Sequence, residues 1–208
     1  MLRNRISRPL LASLSLCALL LVSCSQDVPK LARLSSDAAI LAFGDSLTYG
    51  SGVEAADSYP AVLAALTGRD VINAGVPGEV TAEGLNRLPD ALDEYQPDLL
   101  LLCHGGNDLI RKQSEVQAAD NLRAMIRLAN ERGIPVVLIA VPKPGVFMES
   151  AKFYSEVAAE FGLPLQGDIL ADIEADRSLK SDTIHPNRAG YRIMAEAVYS
   201  LLQEAGAI

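Results

Sequence analysis

From residue 39 onward, short runs of apolar residues alternate with longer stretches in which apolar residues recur at helical spacing. Apolar runs of about four to eight residues are typical of strands that are buried on both faces of a sheet. Five such runs predict strands over residues 39–43, 71–74, 98–103, 134–141 and about 163–165. The runs at 98–103 and 134–141 are continuous, as is typical of strands that are buried on both faces of a sheet.

The stretches between these runs predict five helices, over residues 58–66, 81–95, 115–132, about 149–161 and 188–204. Pro89 falls inside the second of them and is expected to kink or restart that helix. Gly133 is placed to end the third. Strands and helices that alternate in this order predict an α/β fold in which helices cover both faces of a parallel sheet. Such folds carry their functional sites at the carboxyl ends of the strands.

The first 24 residues have a different pattern. Arg3, Arg5 and Arg8 precede an apolar run of 13 residues, 10–22, which is shorter than the roughly 18–20 residues of a membrane span. This arrangement predicts a secretory signal peptide. The run ends in Leu-Val-Ser-Cys24, which resembles the bacterial lipobox, and the resemblance implies cleavage after residue 23 and lipidation of Cys24. Ordinary cleavage near Ser23 or Ser25 and an uncleaved anchor are the alternatives.

The chain therefore divides into a signal peptide over 1–23, a lipidated tether over 24–38 and one folded domain over 39–208. The tether is polar and contains Pro29, and no sustained period runs through it. Lipidation implies a protein that is held at the bacterial cell envelope through its N-terminal lipid. The serine after Cys24 resembles the outer-membrane sorting pattern, so a two-membrane bacterium would carry the protein on the periplasmic side of the outer membrane.

The charge balance excludes one class of partner. The chain has 26 acidic and 18 basic residues, and the signal segment removes basic residues alone, so the domain is more acidic than the net charge of −8 indicates. Nucleic-acid binding, which requires clustered Lys and Arg, is not expected. With two histidines and three cysteines, the chain offers little material for a metal site, and no metal or cofactor is expected. Cys103 is expected to be a buried thiol in its strand.

Polar and glycine-rich segments follow three of the predicted strands and precede the last helix. They read Gly-Asp-Ser46-Leu, Asn-Ala-Gly-Val-Pro-Gly78, Gly-Gly-Asn107-Asp and Asp182-Thr-Ile-His185-Pro-Asn. One set of loops can bring all four segments to a single edge of the sheet. Each segment alone is weak evidence, whereas all four in this order indicate a site.

These residues contain the components of a nucleophilic centre. Ser46 needs a base within hydrogen-bond reach, and His185 can take and return the proton. Asp182, three residues before His185, is placed to fix the tautomer of the imidazole. His104 is the rival base, and its other interpretations are a residue of the core or of the site's surroundings, a substrate contact or a modifier of the pH dependence. The serine is not in a G-x-S-x-G turn, which argues against the α/β-hydrolase fold.

On these four segments the sequence resembles the GDSL, or SGNH, hydrolase family over about residues 39–204, and within it the thioesterase I, lysophospholipase and arylesterase subgroup. The resemblance implies a three-layer, flavodoxin-like fold with about five parallel strands. It also implies a Ser46-His185-Asp182 triad and three oxyanion donors: the Ser46 N–H, the Gly78 N–H and the Asn107 side-chain amide. The expected activity is hydrolysis of carboxylic esters through an acyl-enzyme.

The substrate is left open by the resemblance. Aryl or short acyl esters, lysophospholipids and acyl thioesters all fit an apolar pocket, and the segment 142–148 is expected to form part of its wall rather than to pack under the next helix. The alternatives are an envelope carbohydrate O-deacetylase and a non-catalytic envelope lipoprotein on the same fold. A phosphate-binding flavodoxin-like protein would not explain Asp182 and His185.

Overall fold

Five parallel strands form one sheet in the order β2-β1-β3-β4-β5 in the computed structural model, which describes residues 28–145 and 149–208. The strands are β1 Ala39–Gly44, β2 Asp70–Gly75, β3 Leu99–Cys103, β4 Val136–Ile139 and β5 Leu165–Gln166. This order is the flavodoxin-like arrangement, which has its topological switch point between β1 and β3. The predicted α/β fold is confirmed. The predicted cleavage site and Cys24 lie outside the described residues.

Eight α-helices connect or follow these strands within the described part of the chain. They are α1 Ser46–Tyr49, α2 Tyr59–Thr67, α3 Thr81–Tyr95, α4 Gly106–Ile110, α5 Glu115–Glu131, α6 Lys152–Phe161, α7 Ile169–Ala175 and α8 Arg188–Glu204. Helices α2 and α8 pack against each other on one face of the sheet, while α5 packs between α3 and α6. The sheet is therefore the middle of three layers, and none of the described helices is both long and apolar enough to span a bilayer.

The core lies around β3 and β4, whose residues are all buried. Both strands have neighbours on each side in the sheet, which explains why their sequences are continuous apolar runs. Helix α3 continues through Pro89 from Thr81 to Tyr95 without restarting. Leu88 and Leu92 of this helix are buried against the sheet, and this packing offsets the one backbone hydrogen bond that a proline cannot donate.

The observed bounds differ from the predicted ones mainly in the second half of the chain. Strand β4 is shorter than the apolar run 134–141, because only its centre pairs with β3. Helix α6 starts at Lys152, and β5 lies at residues 165–166. The short helices α1, α4 and α7 were not predicted, because four to seven residues are too few to show a hydrophobic period.

Residues 28–38, part of the predicted tether, lie against the domain. The Leu31 and Leu34 N–H groups donate to the carbonyls of Ala205 and Ala207 beyond the end of α8, at 2.9 and 2.8 Å. Leu34 is buried, and the Arg69 guanidinium donates to its carbonyl. Buried apolar side chains and paired backbone groups thus hold a segment whose polar composition predicts a free tether.

Candidate active site

Ser46 stands at the carboxyl edge of the sheet, two residues after the end of β1. Gly44 is paired with Gly75 of β2 on one side and with Cys103 of β3 on the other, so the loops after these three strands begin at one level. A Cβ on Gly44 would collide with the Cys103 carbonyl, and one on Gly75 with the backbone of Tyr49. The two glycines therefore allow α1 to sit directly on the ends of the strands.

Three side chains form a continuous hydrogen-bonded chain at this edge. The Ser46 Oγ lies 2.9 Å from the Nε2 of His185, and the Nδ1 of His185 lies 2.7 Å from the Oδ2 of Asp182. A carboxylate accepts, so Nδ1 carries the proton, and Nε2 is left free to accept the proton of the serine hydroxyl. The structure thus brings together the serine, the histidine and the aspartate that the sequence singles out.

The Asp182 carboxylate is fixed by the backbone of its own turn. Its Oδ1 accepts hydrogen bonds from the N–H groups of Ile184 and His185, at 2.7 and 2.8 Å. Partial burial raises the pKa of the carboxyl, but the hydrogen bonds from the His185 side chain and from these N–H groups outweigh it and lower the pKa to about 2. Asp182 is therefore an anion at any neutral or mildly acidic pH.

Two backbone N–H groups beside the serine are available to a ligand. Neither the Ser46 N–H nor the Gly78 N–H has a hydrogen-bond acceptor among residues 28–145 and 149–208. Gly78 has a φ of +81°, a conformation that side-chain-bearing residues rarely adopt, and its carbonyl accepts from the Arg111 guanidinium at 2.7 Å. Two unpaired donors next to a nucleophile are the arrangement that stabilises an oxyanion.

The third predicted donor, Asn107, has two partners already. Its Nδ2 lies 3.1 Å from the Oδ2 of Asp45 and 3.0 Å from the carbonyl of Glu79, so both N–H bonds of the amide are used. To bind a substrate oxygen, Asn107 has to share one of these hydrogens with it. The same contacts hold the amide nitrogen at the edge of the cleft, where Asn107 lines the wall with Ser46 and Gly78.

We expect Asn107→Ala to lower kcat for ester hydrolysis by about 10²–10³, the usual cost of one oxyanion donor. The free energy of unfolding, measured by urea denaturation, should fall by a much smaller fraction than kcat, because the amide lies at the cleft edge and not in the core. Asn121→Ala is the matched control, since it removes a buried amide of α5 that donates to the Thr81 hydroxyl and does not line the cleft. Equal kcat losses in the two variants would contradict an oxyanion role for Asn107.

His104 does not face the serine. Its ring is completely buried, its Nδ1 accepts from the Gly105 N–H, and its Nε2 therefore donates to Glu79 Oε2 at 3.0 Å. Arg87 forms a two-point contact with the same carboxylate, at 2.8 and 2.7 Å. Burial raises the pKa of Glu79, but the hydrogen bonds from Arg87 and His104 outweigh this effect and lower the pKa to about 2. The structure excludes His104 as a rival base for Ser46.

The Glu79–Arg87–His104 cluster supports two of the oxyanion donors, Gly78 and Asn107. Glu79 follows Gly78 directly, and its backbone carbonyl accepts from Asn107. The Arg87 guanidinium lies 4.0 Å above the ring of Phe43, in the strand that leads to Ser46. The sequence pattern does not single out Glu79 or Arg87, because their relation to the site appears only when α3 and the loops meet.

The acidic residues next to Ser46 and Asn107 have structural roles. Asp45 is buried and caps α1 by accepting from the Leu47 N–H, and burial raises the pKa of its carboxyl. Asp108 accepts from both the N–H and the hydroxyl of Thr81. Asn187 caps α8 by accepting from the N–H groups of Ala189 and Gly190.

Cys103 is a buried free thiol whose pKa is raised by burial, which makes it unreactive.

A cleft of about 490 Å³ opens over the serine. Pro142, Pro144 and Gly145 line it, which places that part of the segment 142–148 in the pocket wall. Residues 146–148 of the same expectation lie outside the described residues. A larger groove of about 920 Å³ runs along α6 and β5, but it contains none of the triad or oxyanion residues. The chemistry therefore belongs to the smaller cleft.

A serine-histidine-aspartate chain with free N–H donors, at the switch point of a flavodoxin-like sheet, defines the class of serine hydrolases. The sequence pattern of the GDSL-like Lipase/Acylhydrolase family matches residues 42–193, and the chain belongs to this family. It is an ester-hydrolysing enzyme, as the resemblance in the motifs implies.

Relatives and solved structures agree with this membership. The chain is 30% identical to the esterase TesA of Pseudomonas aeruginosa, over 89% of this chain and 98% of the relative. It is 27% identical to thioesterase 1/protease 1/lysophospholipase L1 of Escherichia coli strain K12, over 82% of this chain and 86% of the relative. The crystal structure of AlinE4, an SGNH-hydrolase family esterase, superposes with a TM-score of 0.64 at 32% identity, over 83% of this chain and 98% of that one.

Proposed function

We propose that the protein hydrolyses carboxylic esters through an acyl-enzyme on Ser46, with His185 as base and acid and Asp182 as the group that orients it. The observation that carries this proposal is the chain from Ser46 Oγ through His185 to Asp182, with contacts of 2.9 and 2.7 Å, in a cleft that holds two free N–H donors. No separate base or cofactor is needed for such a reaction.

The reaction balances on these residues. As Ser46 Oγ attacks the carbonyl carbon, its proton passes to His185 Nε2, and the carbonyl oxygen becomes an oxyanion that accepts from the Ser46 and Gly78 N–H groups and from Asn107. Collapse breaks the ester bond, and the alcohol leaves with the proton from Nε2. Water then attacks the acyl carbon and gives a proton to His185. The acid leaves as Ser46 recovers its proton.

The cleft favours short acyl and aryl esters as substrates. Its volume of about 490 Å³ is at the lower end of the range for small-molecule sites, and apolar residues such as Leu47, Ile110 and Val141 line much of it. Relatives carry the names esterase, arylesterase and thioesterase/lysophospholipase, which leaves the leaving group open.

A chain-length series of p-nitrophenyl esters, run beside a lysophospholipid and an acyl-CoA on the purified protein, tests this proposal. We expect the highest kcat/KM for short and medium acyl chains, together with covalent labelling by a fluorophosphonate. A sharp preference for acetyl esters would favour carbohydrate deacetylation instead. Fluorophosphonate labelling without turnover of any ester would favour a non-catalytic envelope lipoprotein on the same fold.

We further propose that Cys24 is lipidated and holds the protein at the bacterial cell envelope, on the outer membrane in a two-membrane bacterium. The support is the basic start, the apolar run and the Leu-Val-Ser-Cys24 sequence at its end. Two or three acyl chains would hold the protein more firmly than the marginal attachment that a single chain gives.

The expected result for Cys24→Ser, expressed in a bacterial host with radiolabelled palmitate, is loss of the label and release from the membrane fraction. Cys17→Ser is the matched control, because Cys17 lies inside the apolar run. This substitution should leave both the palmitate label and the attachment to the membrane fraction unchanged. Palmitate labelling that persists in Cys24→Ser would contradict lipidation at this residue.

A further inference from the structure

Glu174 is a carboxylate in the wall of the active-site cleft that the proposed reaction does not use. It lies near the end of α7, a helix that the sequence pattern does not reveal, and it lines the cleft together with Ser46 and His185. Its side chain is half-buried. Most of the residues around it in the wall are apolar or neutral, so an acidic group at this place is unexpected for an ester pocket.

The carboxylate of Glu174 is open to whatever enters the cleft. No hydrogen bond or ion pair to it comes from residues 28–145 or 149–208, whereas every fully buried polar side-chain atom of this part of the chain has a partner. Its oxygens therefore reach the cleft space. Partial burial raises the pKa of Glu174 to about 7, against the opposing effect of the Lys180 charge, so the group is mostly an anion above about pH 8.

The other titratable groups of the cleft wall already have hydrogen-bond partners. Both oxygens of Asp45 accept hydrogen bonds, one from the Leu47 N–H and one from Asn107. His185 is bound to Asp182 and Ser46. Among the described residues that line the cleft there is no lysine or arginine. Glu174 is thus the one acidic side chain among the described lining residues that has no hydrogen-bond or ion-pair partner, although the charge of Lys180 acts on it from outside the lining.

We propose that Glu174 is a specificity residue that favours esters carrying a positively charged ammonium group over neutral esters of the same shape. A cation that enters the cleft gains a charge-assisted contact with the carboxylate in partly desolvated surroundings, where such contacts are stronger than in water. The inference rests on the proposed ester hydrolysis at Ser46. The ammonium group can belong to the alcohol or to the acyl part of the ester.

Two pairs of esters distinguish an ammonium group on the alcohol from one on the acyl part. Within each pair the two esters have the same shape. Acetylcholine and 3,3-dimethylbutyl acetate differ only in the charge of the alcohol. The p-nitrophenyl esters of 4-(trimethylammonio)butanoic acid and 5,5-dimethylhexanoic acid differ only in the charge of the acyl group. The measured quantity is the ratio of kcat/KM for the cationic ester to that for its neutral partner, at pH 8.5, where Glu174 is ionised.

We expect this ratio, in one of the two pairs, to be about tenfold higher in the wild type than in Glu174→Gln, which corresponds to one favourable ionic contact of about 1.4 kcal/mol. Asp172→Asn is the matched control. It removes the same charge from the same helix, but Asp172 is exposed and faces the groove along α6 and β5, so its ratios should equal those of the wild type.

Equal ratios in the wild type and in Glu174→Gln, for both pairs, would overturn the specificity role while leaving ester hydrolysis intact. A fall of the same size in Asp172→Asn would also overturn it, because the effect would then come from the general field of the acidic domain. Absence of turnover of all four esters by the wild type would overturn the proposed function, and this inference with it.

Discussion

Ser46→Ala is expected to abolish ester hydrolysis, with a loss of at least about 10⁴ in kcat, and to abolish fluorophosphonate labelling. The Oγ of Ser46 is the only side-chain atom that both contacts His185 and lies beside the free N–H donors of the described cleft. Without it no covalent intermediate can form, and only the weak catalysis by the oxyanion donors and by substrate binding is left. The measurement is kcat for a p-nitrophenyl ester together with gel-based detection of the label.

The fold should survive this change, because the hydroxyl lies at the cleft and not in the core. Ser51→Ala is the control, since Ser51 lines the same cleft but makes no contact with His185. It should retain both turnover and label. Label on Ser46→Ala at the wild-type level would show that another nucleophile does the chemistry.

Asp182→Asn is expected to lower kcat by about 10³–10⁴ while leaving the turn intact. An asparagine retains an oxygen for the Ile184 and His185 N–H groups, but its NH₂ faces the Nδ1 of the histidine in place of a carboxylate oxygen. The imidazole then accepts at Nδ1 and carries its proton on Nε2, so it can no longer take the proton of Ser46. The Asp182 side chain is 53% exposed, so water can replace part of its effect and the lower end of the range is more realistic.

The measurement is kcat for a short p-nitrophenyl ester, with circular dichroism as a check on the fold. Asp176→Asn is the matched control, because Asp176 is also an exposed aspartate that accepts from a backbone N–H, in this case that of Ser178, but it contacts no histidine. Its turnover should stay within about twofold of the wild type, as is usual for a surface change away from the site. A loss of kcat in Asp176→Asn as large as that in Asp182→Asn would contradict the role of the histidine contact, because Asp176 shares only the backbone hydrogen bonding with Asp182.

The strands and long helices could be predicted because their patterns are local. The buried run of β3 and the amphipathic stretch of α5 contain enough residues to show their periods. Ser46, Gly78, Asn107 and His185 could be found for a different reason. Each stands in a short segment at the end of an element, and a parallel sheet brings such ends to one edge.

The contacts that come from tertiary packing could not be predicted in this way. Nothing local in the sequence shows that Arg87 reaches back from α3 to Glu79, or that His104 joins them. Glu174 was missed because α7 is short and follows a strand of two residues, so no pattern places it at the cleft. The adjacency of Glu79 to Gly78 was the one available signal for the cluster.

The attachment of residues 28–38 has a consequence for how the enzyme would face a membrane. Leu31 and Leu34 of this segment lie beside the carboxyl end of α8, shortly before β1 begins, whereas α8 begins beside His185 at the opposite edge. Its 17 residues span about 25 Å. A lipid on Cys24 would be only four residues from Val28, a reach of about 14 Å at most. The bilayer would then lie behind the enzyme and the cleft would open into the aqueous compartment, so dissolved esters would reach Ser46 more readily than lipids still embedded in the same leaflet.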